Sequence, residues 1–228
     1  MSIRAVLFDV GGPINTEIEH ERAIDEGIIR GLAAEGIVVS PQEYTEAWRW
    51  AVDSFAPNAY SAVIWRLTGQ DSAISPRIYA AVSSASHARG AFELRDGVAS
   101  LLEKLHGMGL RLGLAANQPA EALQTLEKHG IVRWFHYQQV SGTHGFRKPD
   151  VRVFLHACDS LGADPSECVM VGDRIDCDVA PANSLGIRTV RLVTGRHANQ
   201  RPRSWGEVPD AEVHDVAGME AAILSFVR

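Results

Sequence analysis

Asp9 closes the apolar run Ala5-Val6-Leu7-Phe8 and is followed at once by the turn Val10-Gly11-Gly12-Pro13. More carboxylates lie in Gly172-Asp173-Arg174-Ile175-Asp176-Cys177-Asp178, directly after the apolar stretch Cys168 to Val171. Between them come Ala116-Asn117, after the apolar run Leu112 to Ala115, and the pair Lys148-Pro149. A single aspartate after a strand can simply cap a turn. Asp9 gathered with the later acids would instead be a costly cluster of like charges unless a divalent cation neutralised it. Magnesium suits such a cluster, because it takes oxygen ligands and keeps waters and substrate phosphates. A neighbouring lysine would stabilise an anionic substrate or a charged intermediate. These residue types predict a metal-dependent phosphate site.

Bringing them together requires a particular scaffold. Ala5 to Phe8 is short, apolar and bounded by turn residues, the pattern of a strand buried on both faces of a parallel sheet. In open parallel sheets ligands bind beyond the carboxyl ends of the strands, where Asp9 would lie. From Asp96 onward strand and helix alternate. Helices are expected from Asp96 to His106, Pro119 to His129, Asp150 to Leu161 and around Val179 to Leu185. Strands are expected at Leu112 to Ala115, more weakly at Tyr137 to Val140, then at Cys168 to Val171 and Thr189 to Val193. Arg196 to Pro209 is a polar loop, and Glu212 to His214 and Met219 to Phe226 could supply a last strand and helix. The alternation predicts a doubly wound parallel α/β sheet.

Residues 16–92 break that pattern. Thr16 and Glu19 have capping-box spacing ahead of a helix running from near Glu17 to Gly36. Further helices are expected over Pro41 to Phe55, Tyr60 to Leu67 and Pro76 to Arg89, with a turn at Gly90. The expected organisation is therefore an α/β core from 1–15 and 93–228, with an inserted helical domain at 16–92.

Composition narrows the function classes. The chain is 46% hydrophobic and 22% charged, ordinary for a folded globular protein. A net charge of -6 lacks the basic footprint of nucleic-acid binding. No apolar run reaches membrane-span length and the first is too short for a signal-peptide core, so a cytoplasmic protein is expected. Cys158, Cys168 and Cys177 are odd in number and lack CxxC spacing, which implies neither a disulfide framework nor a zinc site. A dinucleotide-binding protein would need a GxGxxG turn that Val10-Gly11-Gly12-Pro13 does not provide.

The order of Phe8-Asp9-x-x-Gly12, Asn117, Gly145-x-Arg147-Lys148-Pro149-Asp150 and Val171-Gly172-Asp173-Arg174-x-Asp176-x-Asp178 resembles the haloacid dehalogenase superfamily across essentially the whole chain. The resemblance implies a Rossmann-like core and identifies the helical insertion as a cap that sets substrate choice. It matches Asp9 to a nucleophile that forms an aspartyl-phosphate, with magnesium held by Asp9, the Gly11 carbonyl, Asp173 and Asp178. It matches Lys148 to the cation that pairs with nucleophile and phosphate, and Ala116 and Asn117 to the phosphate-binding stretch, Asn117 through its amide. Asp176 is expected as a solvated carboxylate at a helix start. The implied partner is a small phosphorylated metabolite, with neither nucleic acid nor membrane, in a monomer or homodimer.

Two departures limit the match. Phosphatases of this family usually carry an aspartate two residues after the nucleophile, as acid and base; here it is Gly11. General acid–base help is commonly worth about 10²–10⁴ in rate. The hydroxyl residue usual before the asparagine is Ala116. Slow hydrolysis, good leaving groups or an acid from elsewhere are the expected consequences, with Glu17, Glu19 and His20 as outside candidates. The segment from Glu17 to Leu94 contains no lysine, which counts against the phosphonate-cleaving branch. The dehalogenase branch also lacks the second aspartate, but it works without magnesium and typically lacks the Gly172-Asp173 pair. The alternatives are a nearly inactive protein that binds metal and phosphate and, further off, a 2-haloacid dehalogenase.

Overall fold

The computed structural model describes residues 2–89 and 92–227, with side chains described up to Ser83 in the helix that ends at Arg89. The turn expected at Gly90 lies outside the described residues. The chain divides into two compact units, Met1–Thr16 with Leu94–Arg228, and Glu17–Glu93.

The first unit is built on five strands: β1 (Ala5–Phe8), β2 (Arg111–Leu114), β3 (Cys168–Gly172), β4 (Arg188–Leu192) and β5 (Ala211–Val213). All pairings are parallel, in the order β2-β1-β3-β4-β5. The four residues of β1 are fully buried, as a strand covered on both faces requires. Phe8 is level with Leu114 on one side and Val171 on the other. The ladder continues one step further, Asp9 N–H donating to Val171 O at 2.9 Å and Ala115 N–H to Phe8 O at 2.9 Å. Asp9, Ala115-Ala116 and Asp173 therefore leave the sheet at one edge. The chain passes from β1 to β2 on one side and later to β3 on the other, which places the switch point at Asp9.

Five helices accompany the sheet: α5 (Val98–Gly107), α6 (Ala122–Lys128), α8 (Arg152–Ser160), α9 (Ala180–Ser184) and α10 (Val216–Phe226), with a single turn, α7 (Ser141–His144). The apolar face of α8, Val153, Phe154, Ala157 and Cys158, joins Leu7, Cys168 and Met170 in one buried cluster. All three cysteines are free and buried.

Two expectations for this unit need correction. The strand at Tyr137 to Val140 is reduced to one bridge between Tyr137 and Gly113. Past Tyr137 the chain is drawn off the sheet, because Ser141 N–H bonds Ala116 O at 3.0 Å and Val140 N–H bonds Thr143 Oγ1 at 3.0 Å as α7 starts. The helix expected around Val179 begins earlier, as a π-helical turn over Ile175–Val179 that runs on into α9.

The second unit comprises α1 (Ile18–Ala34), α2 (Pro41–Asp53), α3 (Ala59–Leu67) and α4 (Ile74–Arg89). Ile24, Ile28 and Leu32, spaced by four along α1, pack with Ile64, Ile78 and Val82. Gly31 allows this approach: a Cβ there would come within 2.7 Å of the Ile78 side chain. Trp48 meets Tyr60 edge to face at 5.4 Å, whereas Trp50 and Trp65 keep 39% and 37% of their surface exposed.

The capping box expected at Thr16 and Glu19 does not form. Glu17 takes the left-handed conformation (φ 60°), so α1 starts one residue later, without a side-chain cap, and Glu19 pairs with Arg22 at 2.6 Å. The box lies instead at α2, where Glu43 N–H bonds Ser40 Oγ at 3.2 Å, Ser40 N–H bonds Glu43 Oε2 at 2.8 Å and Pro41 opens the helix. Among the described residues no helix is long and apolar enough to cross a membrane.

Candidate active site

Lys148 is the centre of the site. Its ammonium stands 3.0 Å from Asp9 Oδ1 and 2.5 Å from Asp178 Oδ1, with the lysine and Asp178 side chains only 2% and 1% exposed. Asp9 retains 13% exposure, and its Oδ1 also accepts the Val10 N–H at 2.8 Å. One carboxylate oxygen from each of Asp9, Asp173 and Asp178 falls within 4.8 Å of the others. An all-oxygen donor set at that spacing fits a small hard cation.

The charges explain one another. Burial raises the Asp9 pKa to about 6; Lys148 opposes that shift and Asp178 adds to it. Burial by itself would lower the pKa of Lys148, but Asp178 and Asp9 outweigh it and hold the lysine above its ordinary value. Carboxylates at that spacing repel one another, and a cation between them would relieve the repulsion.

Local sequence creates this geometry. Gly12 adopts φ +80°, and a Cβ there would sit 3.0 Å from Asp173 Cβ, so only glycine lets the turn after β1 lie against Asp173. Gly11 is not among the glycines with positive φ. The Arg95 Nε–H holds the turn from outside by donating to Gly12 O at 2.6 Å. At the end of β3, Asp178 Oδ2 accepts the N–H groups of Asp173 and Arg174 at 3.2 and 3.0 Å, folding the acidic run back on itself. A Cβ on Gly172 would fall 2.3 Å from Asp178 Cγ, which accounts for the Gly172-Asp173 pair.

The fold brings Asp9, Lys148, Asp173 and Asp178 together. Ala116 is buried at the end of β2 and its carbonyl accepts the Ser141 N–H. Asn117 differs from its expected use: its Oδ1 accepts the Lys148 N–H at 2.8 Å and its Nδ2 donates to Lys148 O at 2.9 Å. The amide expected on a phosphate thus clamps the main chain of the lysine. Asp176 is not a solvated carboxylate. It accepts two bonds from Arg174, at 3.1 and 2.5 Å, and one from Gln200 Nε2 at 3.2 Å. Burial pushes its pKa up, but Arg174 outweighs that and holds it below the usual value. Glu17, Glu19 and His20 belong to the helical unit, at the start of α1.

The sheet, ordered 2-1-3-4-5, carries the Asp9 carboxylate at its switch point with a lysine-linked acidic cluster beside it. A profile of the haloacid dehalogenase-like hydrolases matches residues 3–186, and the chain belongs to that family of hydrolases. It is 30% identical over 218 residues to a glyceraldehyde 3-phosphate phosphatase of Methanopyrus kandleri, covering 92% of this chain and 93% of the relative. Among solved structures, it shares its fold with a predicted phosphoglycolate phosphatase from Haemophilus somnus (TM-score 0.74, 19% identity, 100% and 99% of the chains covered). It shares it also with a 2-haloacid dehalogenase from Pseudomonas syringae (TM-score 0.60, 21% identity, 98% and 99% covered). Proteins named for different reactions share this fold, so the choice of chemistry rests on the site.

Two outcomes follow from the geometry. Gly172→Ala forces Asp178 aside and lowers stability by about 1–3 kcal/mol in chemical denaturation. The second concerns pH. Burial, reinforced by Arg174, pushes His197 down from 6.5 to about 3, and its buried Nδ1 has no hydrogen-bond partner. The unfolded chain therefore binds the extra proton first, and His197 makes stability fall as pH drops below 6.5, by up to about 1.4 kcal/mol per pH unit. Asp9, with its raised pKa, acts in the opposite sense below about 6. The difference between wild type and His197→Gln isolates the histidine, and the variant loses less stability between pH 6.5 and 4 in thermal melts.

Proposed function

We propose that this protein is a magnesium-dependent phosphatase of a small phosphorylated metabolite, working through an aspartyl-phosphate at Asp9. The observation that carries this reading is the Lys148 ammonium bridging Asp9 at 3.0 Å and Asp178 at 2.5 Å, with Asp173 completing an all-oxygen cluster. Magnesium would be held by Asp9, Asp173, Asp178 and the Gly11 carbonyl, and would supply charge neutralisation at the phosphoryl oxygens. Residues 17–93 act as the cap, and the site takes its substrate from an aqueous compartment. The name of the Methanopyrus relative makes a triose phosphate the first substrate to try.

In this mechanism Lys148 aligns the Asp9 carboxylate and draws in the phosphate dianion, assisted by the Ala116-Asn117 main chain. A carboxylate oxygen of Asp9 attacks phosphorus as the bond to the leaving oxygen breaks, giving a covalent acyl phosphate. Water then attacks that phosphorus, releasing inorganic phosphate and restoring Asp9. Both steps need a proton moved, and Gly11 has none to move. Turnover on alkyl phosphates is therefore slow, and aryl or acyl phosphates, whose leaving groups need less protonation, are better substrates.

Gly11 and Ala116 favour a second reading, a protein that keeps the metal and phosphate site for binding with little turnover. Phosphate release from a panel of esters, with and without magnesium, separates the two. Asp9→Asn is expected to lower magnesium-dependent release by at least about 10³-fold. Equal release by wild type and variant sinks the enzyme reading and leaves the binding one; chloride release from a haloacid without metal would point to the dehalogenase instead. Gly11→Asp, at a position without positive φ, raises turnover on alkyl phosphates by up to about 10²-fold while changing aryl phosphates much less. No gain on alkyl phosphates would mean that a proton donor is supplied from another position.

A further inference from the structure

Beyond the acidic cluster itself, two buried polar side chains, one in β4 and one in the segment after it, reach back to the acidic run. Arg191, near the end of β4, is fully buried, and Gln200 is 1% exposed. The Arg191 Nε–H donates to Asp173 O at 3.3 Å. Its Nη1 donates to Gln200 O at 3.1 Å and pairs with Glu212 at 2.7 Å, and its Nη2 donates to His197 O at 2.8 Å. Gln200 Oε1 accepts the N–H of Ile175, the first residue of the π-helical turn, at 2.9 Å. Its Nε2 donates to Asp176 Oδ1 at 3.2 Å.

A guanidinium with no exposed surface is costly unless its donors are met, and here they are met by the Glu212 carboxylate and by main-chain oxygens of the later segment and of Asp173 in the acidic run. Asp178 ties the two ends of the Asp173–Asp178 turn together from within, through the N–H groups of Asp173 and Arg174. Arg191 and Gln200 tie it from outside, at Asp173 O and Ile175 N–H. Like charges at Asp9, Asp173 and Asp178 push that turn open whenever no cation stands between them.

We infer that Arg191 and Gln200 are positioning residues for the metal: they hold Asp173 and Asp178 at ligand spacing before the cation arrives. The inference rests on the magnesium reading above. It adds that two residues outside the motifs of the family resemblance, one in β4 and one in the segment after it, set cation affinity. The hydrogen-bond partners of both side chains are protein groups and include neither Asp9 nor Lys148, so the consequence falls on metal binding and not on the chemical step.

The test is titration of magnesium chloride into the purified full chain by calorimetry, with kinetics as a second readout. Gln200→Leu fills the same space without hydrogen bonds and is expected to weaken magnesium binding about tenfold. At saturating magnesium its kcat and substrate KM return to within about twofold of wild type. Arg191→Lys keeps the charge but loses the fork, and does not restore affinity. Gln200→Asn, which withdraws the carboxamide by one carbon, serves as the milder variant should Leu fail to fold, and shifts affinity in the same direction. Magnesium affinity unchanged within twofold in a folded Gln200 variant, whatever its melting temperature, overturns the positioning role alone. Failure of the wild type to take up magnesium refutes the metal reading beneath it.

Discussion

Like-charge repulsion among Asp9, Asp173 and Asp178 is the constraint around which the carboxyl edge of the sheet is built. Carboxylates at this separation repel one another; the Asp9 pKa is raised by burial first, and Asp178 adds to that shift. Lys148 answers part of it, and the chain secures Lys148 through its main chain, by the two hydrogen bonds of the Asn117 carboxamide. That arrangement leaves the ammonium to the carboxylates. The glycines follow from the same crowding: Gly12 against Asp173 and Gly172 against Asp178 are places where any side chain would separate charges that the site needs close.

Family membership and site geometry answer different questions. Membership establishes a hydrolase on this scaffold. The scaffold also carries a protein named as a dehalogenase, and it is silent about the bond broken. Asp9, Asp173 and Asp178 are spaced so that they could hold a cation, and relatives are named phosphatases, which together argue for phosphoryl chemistry. Gly11 then sets the limit: alignment and electrostatics are present at Asp9 and Lys148, whereas proton transfer has no side chain at the position that usually provides it.

Asp9, Lys148, Asp173 and Asp178 were legible in the sequence because each follows an apolar run or a turn that fixes where it must emerge. The order of strands and helices was legible for the same reason. What escaped depended on contacts distant in sequence. Asn117 looks like a phosphate ligand until Lys148, far along the chain, occupies its amide. Arg191 reads as an ordinary charge in a strand, since the carbonyls that receive it belong to Asp173, His197 and Gln200. Gln200 sits in a stretch without periodicity and looks like loop, although it is nearly inaccessible. Tyr137 to Val140 has the composition of a strand but is pulled away by Ser141. Thr16 and Glu19 had the right spacing, and a single left-handed residue at Glu17 moved the helix start past them.

The parallel pairing of β1 with both β2 and β3 also bears on how the chain is made. Ala5 must find Arg111 on one side and Cys168 on the other, so the strand that leads to Asp9 is made well before its second neighbour. At translation speeds of about 5–20 residues per second, its apolar edge waits on the order of ten seconds or more for its second neighbour. Such non-local pairing slows folding and leaves an unpaired strand open to association with other chains. The helices of residues 17–93, with contacts local to themselves, can form during that interval. The strand that leads into the site is thus exposed to misassembly while it waits, and a helper that shields an extended apolar segment would act on Ala5 to Phe8.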